Sequence, residues 1–423
     1  MTTRAIRRRR VRRAPRVARN LSALWACAAL YCIALPASAQ RAITEADVLA
    51  AVRARDPEVV AARAEVAASA AREAGEGRYP NPSIAWEREE IPGDGPLAVH
   101  EDTFTLAVPI DFGGERSARS ALAESFTAQA RGEHALITTG AAQRALGVFY
   151  EALAARQHGA IARDHVARLA EAERVLARKV AEGSASGYEL SRLQLEAELA
   201  RSTLSEREAT ALAAIAELAF MLDVPSAGLE LNGDLEAREL GGGVAEPQAL
   251  REAEAAHSAA VRARSSAGSA WLPSLEAHAG PKLVGAGDED ALGYVAGVSL
   301  ALPLFDRKQG LTGEASARSA QLQTRRAALE RGLNGARERA QADLARVRSE
   351  LARFERATIT PMAELERSAE AAYREGRQTI LELLDAQRMR TSIEEQKLAL
   401  RLRAKRAELA LRAARGELEG ELR

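Results

Sequence analysis

The chain has 423 residues, 47% of them hydrophobic and 28% charged, with 59 basic residues balancing 59 acidic ones and only 4% aromatic. Abundant Ala, Leu, Glu and Arg with so few aromatics favour long helices and coiled coils over the mixed core of a compact enzyme. The balanced charge is unevenly placed, and its distribution excludes nucleic acid as an expected partner once the basic start is set aside.

That start holds nine arginines and no acid in its first nineteen residues, followed by the apolar run "LSALWACAALYCIALP" and by Ala37-Ser38-Ala39. The pattern predicts a secretory signal peptide over residues 1–39, cut before Gln40. An alternative is a lipoprotein signal, with Cys27 acylated. Without residues 1–39, 50 basic residues face 59 acidic ones, a net charge of −9. Cys27 and Cys32 both lie inside the signal, so the mature chain has no disulfide, thiolate ligand or thiol nucleophile. No other stretch approaches the ~20 apolar residues of a membrane helix.

Beyond the signal, a helix over about 44–78 leads to two alternating segments, "SIAWEREEI" and "DTFTLAVPI". Trp86, Phe104, Leu106 and Val108 recur at every second position, as an apolar strand face does. "PGDGPLAVHED" between them reads as a solvent-facing hairpin loop that contains His100. A very long helix follows over about 114–182, then a break at Gly183 and a return helix. The glycine-rich "LNGDLEARELGGGVAEP" joins this half to the next.

The second half repeats the plan. A helix over about 246–271 precedes the strands "SLEAHAGPKL" and "GYVAGVSLALPL", where Tyr294, Val298 and Leu300 share one face. "VGAGDEDA" is a second expected hairpin loop. Its Asp288, Glu289 and Asp290 have no EF-hand spacing and read as a solvated tip. The long helix over about 311–375 carries one apolar stripe: Leu322, Leu329, Leu333, Ala336, Ala340, Leu344, Val347, Leu351 and Phe354. Pro361 is expected to kink it, since proline donates no backbone hydrogen bond. In "YREGRQTILELLDAQR", Gly376 ends that helix, Thr379 caps the next, and Glu382 and Asp385 share a face of its first turns.

The two halves align. Pro82 matches Pro273, Pro109 matches Pro303 and Gly183 matches Gly376, at offsets of 191, 194 and 193 residues. The expected domains are therefore two repeats, 40–240 and 241–423. The expected fold is mainly α with a small β part, built from duplicated helix-strand-strand-long helix-helix units.

Four strands of about ten residues, apolar on one face, fit an outer-membrane barrel wall, although a hairpin packed on helices shows the same alternation. Four strands cannot close a barrel, and an open edge is untenable in lipid. Three copies would supply twelve strands. Catalytic signatures are absent: no triad, nucleophile elbow or metal-ligand cluster emerges. His158 and His165 share a helix face but read as exposed surface residues. No catalytic residue, cofactor or bound metal is expected.

The signal, the duplication, the strand pairs before long helices and the Tyr373–Arg388 segment together resemble the TolC-like outer-membrane efflux proteins. "NPSIAWEREE" and "VPIDFGGERSARSA" resemble their heavy-metal (CzcC-like) branch. The resemblance implies a homotrimer: an α-helical barrel in the periplasm, topped by a 12-stranded transmembrane β-barrel in outer-membrane lipid. The partners implied are a periplasmic membrane-fusion adaptor and an inner-membrane pump of the RND type. Metal cations would be the cargo, with drugs or a secreted polypeptide as the alternative. A periplasmic coiled-coil scaffold without a pore is the rival from another class. The resemblance also places Gly183, Gly187 and Gly376 at the tips. Tyr373, Gln378, Thr379, Glu382 and Asp385 would lie at the gate, with Gln378 where some relatives have an arginine. Trp86, Phe104, Leu106, Val108, Tyr294, Val298 and Leu300 would face lipid. In three copies, Glu382 and Asp385 would form a ring of carboxylates that favours cations.

Overall fold

The computed structural model describes residues 42–92, 99–241, 246–286 and 289–421. The expected signal peptide, with Cys27, lies outside them. The described residues begin with α1 (Glu45–Arg55) and α2 (Pro57–Glu76), where one continuous helix was expected. The break has a local cause: the Asp56 carboxylate accepts hydrogen bonds from the Glu58 and Val59 amides at 3.0 and 3.1 Å. Pro57 then takes the first helical position, where no amide donor is needed.

Two strands follow, β1 (Ser83–Ile91) and β2 (Val99–Ile110), then α3 (Glu115–Ala181) of 67 residues and α4 (Gly187–Leu222). After a segment with little regular structure come α5 (Gln248–Ala267), β3 (Ser274–Ala286), β4 (Glu289–Ala301), α6 (Gln309–Arg374) of 66 residues, α7 (Ile380–Ala414) and the short α8 (Glu417–Glu421). At 1.5 Å per residue, α3 and α6 are each roughly 100 Å long. Helix α6 runs without interruption through Pro361.

The strands are longer than their apolar residues indicated. Val99–Asp102 belongs to β2, so His100 lies in the ladder and not in a loop. Likewise Val284–Ala286 and Glu289–Ala291 pair with each other. Backbone pairing continues past the point where side chains turn polar, which periodicity of apolar residues cannot reveal.

Helix α3 packs against α4, α5 and α7, while α6 packs against α5 and α7. Three levels of core fill the bundle. Near the sheet, Ala118, Ala121, Ala263, Ala267 and Ala315 let α3, α5 and α6 approach closely. In the middle, Val48, Val52, Leu146, Phe149, Tyr150, Leu218 and Leu398 join α1, α3, α4 and α7. At the far end, Leu169, Leu176, Leu193, Met362, Tyr373, Ile380 and Leu383 hold the two helical hairpins together. The stripe predicted on α6 behaves as expected: Leu322, Ala340, Leu344 and Val347 are buried, and its other members are half-buried.

Candidate channel wall and tip

The four strands form one antiparallel sheet in the order β1-β2-β3-β4. Residues paired across such a sheet project to the same face. Trp86 pairs with Phe104 and Ile84 with Leu106, while Leu106 and Val108 oppose Ala279 and Ala277. Ala277 opposes Val298, Leu275 opposes Leu300, and Pro281 opposes Tyr294. Register therefore brings all seven predicted lipid-facing residues to a single face.

Among the described residues nothing covers that face: Tyr294 is 87% exposed, Val298 63% and Trp86 61%. Trp86 stacks on Phe104 with ring centroids 6.4 Å apart, and its indole N–H donates to Asp102 at 3.0 Å. Arg88 and Glu90 lie beside that carboxylate, so the apolar band ends there in charge. From Leu292 to Leu302 the chain takes ten steps, roughly 33 Å at ~3.3 Å each. Tilted by about 40°, that length spans roughly 25 Å, the height of an outer-membrane apolar band. The opposite face carries Glu87, Thr103, Thr105, Glu276, His278, Lys282 and Ser299, and Lys282 pairs with Glu101 across it.

At the other end of the molecule, each helical hairpin turns in the same way. Gly183 and Gly376 adopt left-handed φ angles of 73° and 70°. Beyond them, the Ser184 amide reaches back to the Lys179 carbonyl, and the Arg377 amide to that of Ala372, both at 2.8 Å. These bonds satisfy carbonyls that a helix end leaves unpaired. Each return helix then begins with a reciprocal capping box, Ser186 with Glu189 and Thr379 with Glu382. Gly187 is the first residue of α4.

Glu382 is thus held by its own helix start, accepting from the Thr379 amide at 2.7 Å and from the Thr379 hydroxyl. Those two bonds keep its carboxyl below the usual carboxylate range. Asp385 is freer, with 74% of its side chain exposed and Arg388 at 3.5 Å. Gln378 is exposed. Tyr373 is buried, its hydroxyl without a hydrogen-bond partner and its ring 4.3 Å from the Lys179 ammonium. Burial, with Glu189 nearby, raises its phenol above the ordinary value.

Above the tip, two ion pairs link α4 with α7 across α3: Arg388 with Glu196, and Arg207 with Glu395 at 3.0 Å. His158 and His165 of α3 lie beneath them and are half-buried, where the sequence suggested exposed ones. His158 Nδ1 is 4.0 Å from Glu395. Burial and then Arg207 lower the pKa of His158, and burial is also the first cause for His165. Sequence spacing gave no carboxylate to these histidines, because Glu196 and Glu395 come from other helices. Even so, among the described residues no group of three acids or histidines is placed to hold a metal ion.

A buried charge cluster was not foreseen at all. Lys405, 1% exposed, contacts Glu408 at 3.2 Å and lies 3.8 Å from Glu45. Arg412 is 3.4 Å from Glu45, and the Tyr150 hydroxyl donates to Glu45 at 2.6 Å. Glu408 also accepts the Arg238 amide at 2.8 Å, and Lys405 donates to the Glu236 carbonyl at 3.2 Å. The cluster therefore ties the segment between the halves to α1, α3 and α7. In sequence, Lys405 and Glu408 look like any surface pair one helical turn apart.

The sheet is apolar on one face and polar on the other, its two outer strands have no partner among the described residues, and long helical hairpins lie below it. Proteins similar in sequence and fold are known. The model of the family described as "Outer membrane efflux protein" matches residues 244–417. The nickel-cobalt-cadmium resistance protein NccC of Alcaligenes xylosoxydans xylosoxydans is 28% identical over 302 residues, covering 68% of this chain and 67% of its own. Among solved structures, CusC matches with a TM-score of 0.65 at 17% identity, over 88% of this chain and 92% of that one. The outer membrane protein VceC of Vibrio cholerae matches with 0.64 at 18% identity, over 88% and 96%. The family match thus covers the second half of the chain, and NccC is its relative in sequence. The chain has the fold of these outer-membrane channel structures.

Proposed function

We propose that three copies of this chain form the outer-membrane exit duct of a tripartite efflux system for heavy-metal cations. The observation that carries this reading is the single apolar sheet face flanked by two unpaired edges. Three four-stranded sheets joined edge to edge make a twelve-stranded barrel, apolar toward lipid and polar toward its lumen. The helices continue it into the periplasm as a tunnel. The repeats 40–240 and 241–423 supply equal shares, which the matching order of elements in each half supports. The duct is passive. An inner-membrane pump of the RND type supplies the energy, and a periplasmic adaptor meets the tips at Gly183, Gly187 and Gly376.

Metal cargo is supported by the relationship to a resistance protein for nickel, cobalt and cadmium. At the entrance, Tyr373, Gln378 and Thr379 shape the gate, and Asp385 is the carboxylate free to line it. Glu382 adds charge while capping its helix. Rings of carboxylates attract cations and repel anions.

The test is growth of a deletion strain across divalent metals, dyes and antibiotics. Sensitivity confined to metals, restored by the cloned protein, is the expected result. Broad sensitivity to organic compounds would transfer the duct to drug efflux. Bilayer recordings test the gate: changing both Glu382 and Asp385 to Ala should weaken cation preference, and unchanged selectivity would remove these residues from that role.

A further inference from the structure

A cleft of about 780 Å³ runs along α1 and is closed on another side by the segment between the halves. Its α1 wall is smooth: Ala46, Ala50 and Ala54 recur every fourth residue and are exposed. Asn232, Gly233 and Asp234 of the joining segment also line it. A second cavity, of about 430 Å³, adjoins the first through Arg53 and Arg63, which line both. It leads to His134 and Thr138 of α3.

Cations stand toward both ends of the cleft. Arg63, on α2, donates to the Arg53 carbonyl at 2.7 Å, which holds it at the C-terminal end of α1. Arg238 belongs to the other end, because its amide donates to Glu408 in the cluster that contains Glu45. Glu45 and Arg53 are eight residues apart on the helix, about 12 Å. Neither Arg63 nor Arg238 has a carboxylate partner among the described residues. The lining acids, by contrast, are engaged. Glu45 accepts from Tyr150, Asp234 from the Glu236 amide at 2.9 Å, and Glu419 from the Gln248 amide at 2.7 Å. In the second cavity, His134 Nε2 and Thr138 Oγ1 are shut from solvent without hydrogen-bond partners. The charge of Arg63 reaches them: after burial, it is the second cause that lowers the pKa of His134.

We propose that this cleft binds an extended acidic peptide, with one carboxylate on Arg63, another on Arg238 and the backbone along the alanine face of α1. An extended chain advances ~3.3 Å per residue, so acids three or four positions apart meet both guanidiniums. Each guanidinium presents a planar fork that matches a carboxylate. A single small anion would occupy one end and leave the rest of the cleft to water. The mature chain carries a net charge of −9 and repels acidic ligands in general, so the attraction must come from these arginines. This site is separate from the duct and would exist whatever the duct carries.

The experiment uses full-length protein in detergent and dye-labelled hexaglutamate, followed by fluorescence anisotropy. Saturable binding of one peptide per chain is expected, and hexaglutamine should not bind. Arg63→Gln and Arg238→Gln should each weaken binding about tenfold, the loss of one charge-assisted hydrogen bond. Both side chains are exposed, so melting temperature should stay at the wild-type value. Arg174→Gln, on an exposed part of α3 near the tip, should leave binding unchanged. Absence of saturable binding overturns the proposal, and so does equal binding by the wild type and both cleft variants. A loss in Arg174→Gln as large as in Arg63→Gln would mean diffuse attraction and also overturns it. Displacement by inorganic phosphate as readily as by unlabelled peptide would give the cleft to a small oxyanion instead. Bilayer conductance of the same preparations reports on the duct independently of every one of these results.

Discussion

Lys405 Nζ lies 3.2 Å from Glu408, and neither side chain has more than 1% of its surface exposed. A buried ion pair contributes little net stability over apolar residues, yet removing one partner strands the other in a poor solvent. Lys405→Met should therefore destabilise the protein by about 3–5 kcal/mol. Thermal denaturation in detergent would measure it. A change below ~1 kcal/mol would mean that the charges find water once unpaired.

The hairpin ends make a second prediction. A side chain at a left-handed φ costs roughly 1–2 kcal/mol, so Gly183→Ala and Gly376→Ala should each lower stability by about that much. Nothing lies within 4 Å of a Cβ added at either position, so the cost would be backbone strain alone. Thr379→Ala should cost about 0.5–2 kcal/mol through loss of the cap. Denaturation midpoints of the single variants would separate these effects.

Much of the fold was legible because its signals are local. The tips show as glycine followed by a capping residue, and the strand faces as alternation from Phe104 to Val108. The long helices show as the period of Leu322, Leu344 and Val347. What escaped depends on contacts between distant segments. Asp56 ends one helix and starts another through its own carboxylate, which leaves little trace in a run of helix formers. His158 gains its acidic neighbour from α7, and Glu45 meets Arg412 across most of the chain. The role of Glu382 was open in sequence. Geometry shows a capping carboxylate, a position compatible with lining an entrance.

The half-buried histidines predict a pH dependence. The pKa of His158 and of His165 lies below the usual 6.5 in the folded protein, with burial as the first cause. Between each lowered value and 6.5, the unfolded chain binds more protons than the folded one. Their contribution to stability is therefore complete above about pH 6.5 and is lost as pH falls through the folded value. Melting temperature should drop as pH falls below about 6.5, and the double variant His158→Gln, His165→Gln should flatten that drop. A slope unchanged by the double variant would assign the acid sensitivity elsewhere.

The two faces of the sheet should respond oppositely to charge. Leu106→Lys places an ammonium on the apolar face and should cost about 2–4 kcal/mol if it sits near mid-membrane. Thr105→Lys, one residue away on the polar face, should be tolerated. Yield of the heat-resistant oligomer in outer-membrane fractions would compare them. Equal loss for both would contradict a lipid-facing surface on one side only.

The charge cluster also sets an order of events. Glu45 and Arg412 are 367 residues apart in sequence, yet 3.4 Å apart in space. Contacts this remote form late, because the chain entropy between them must first be overcome. Helical hairpins can zip up from their own turns while the chain is incomplete. The knot at Lys405 can only be tied when α1, the central segment and α7 are all present. Until then its carboxylates and ammonium remain in water, and the middle of the bundle has no lock. The arrival of α7 is thus what converts a set of independent hairpins into one cooperative body.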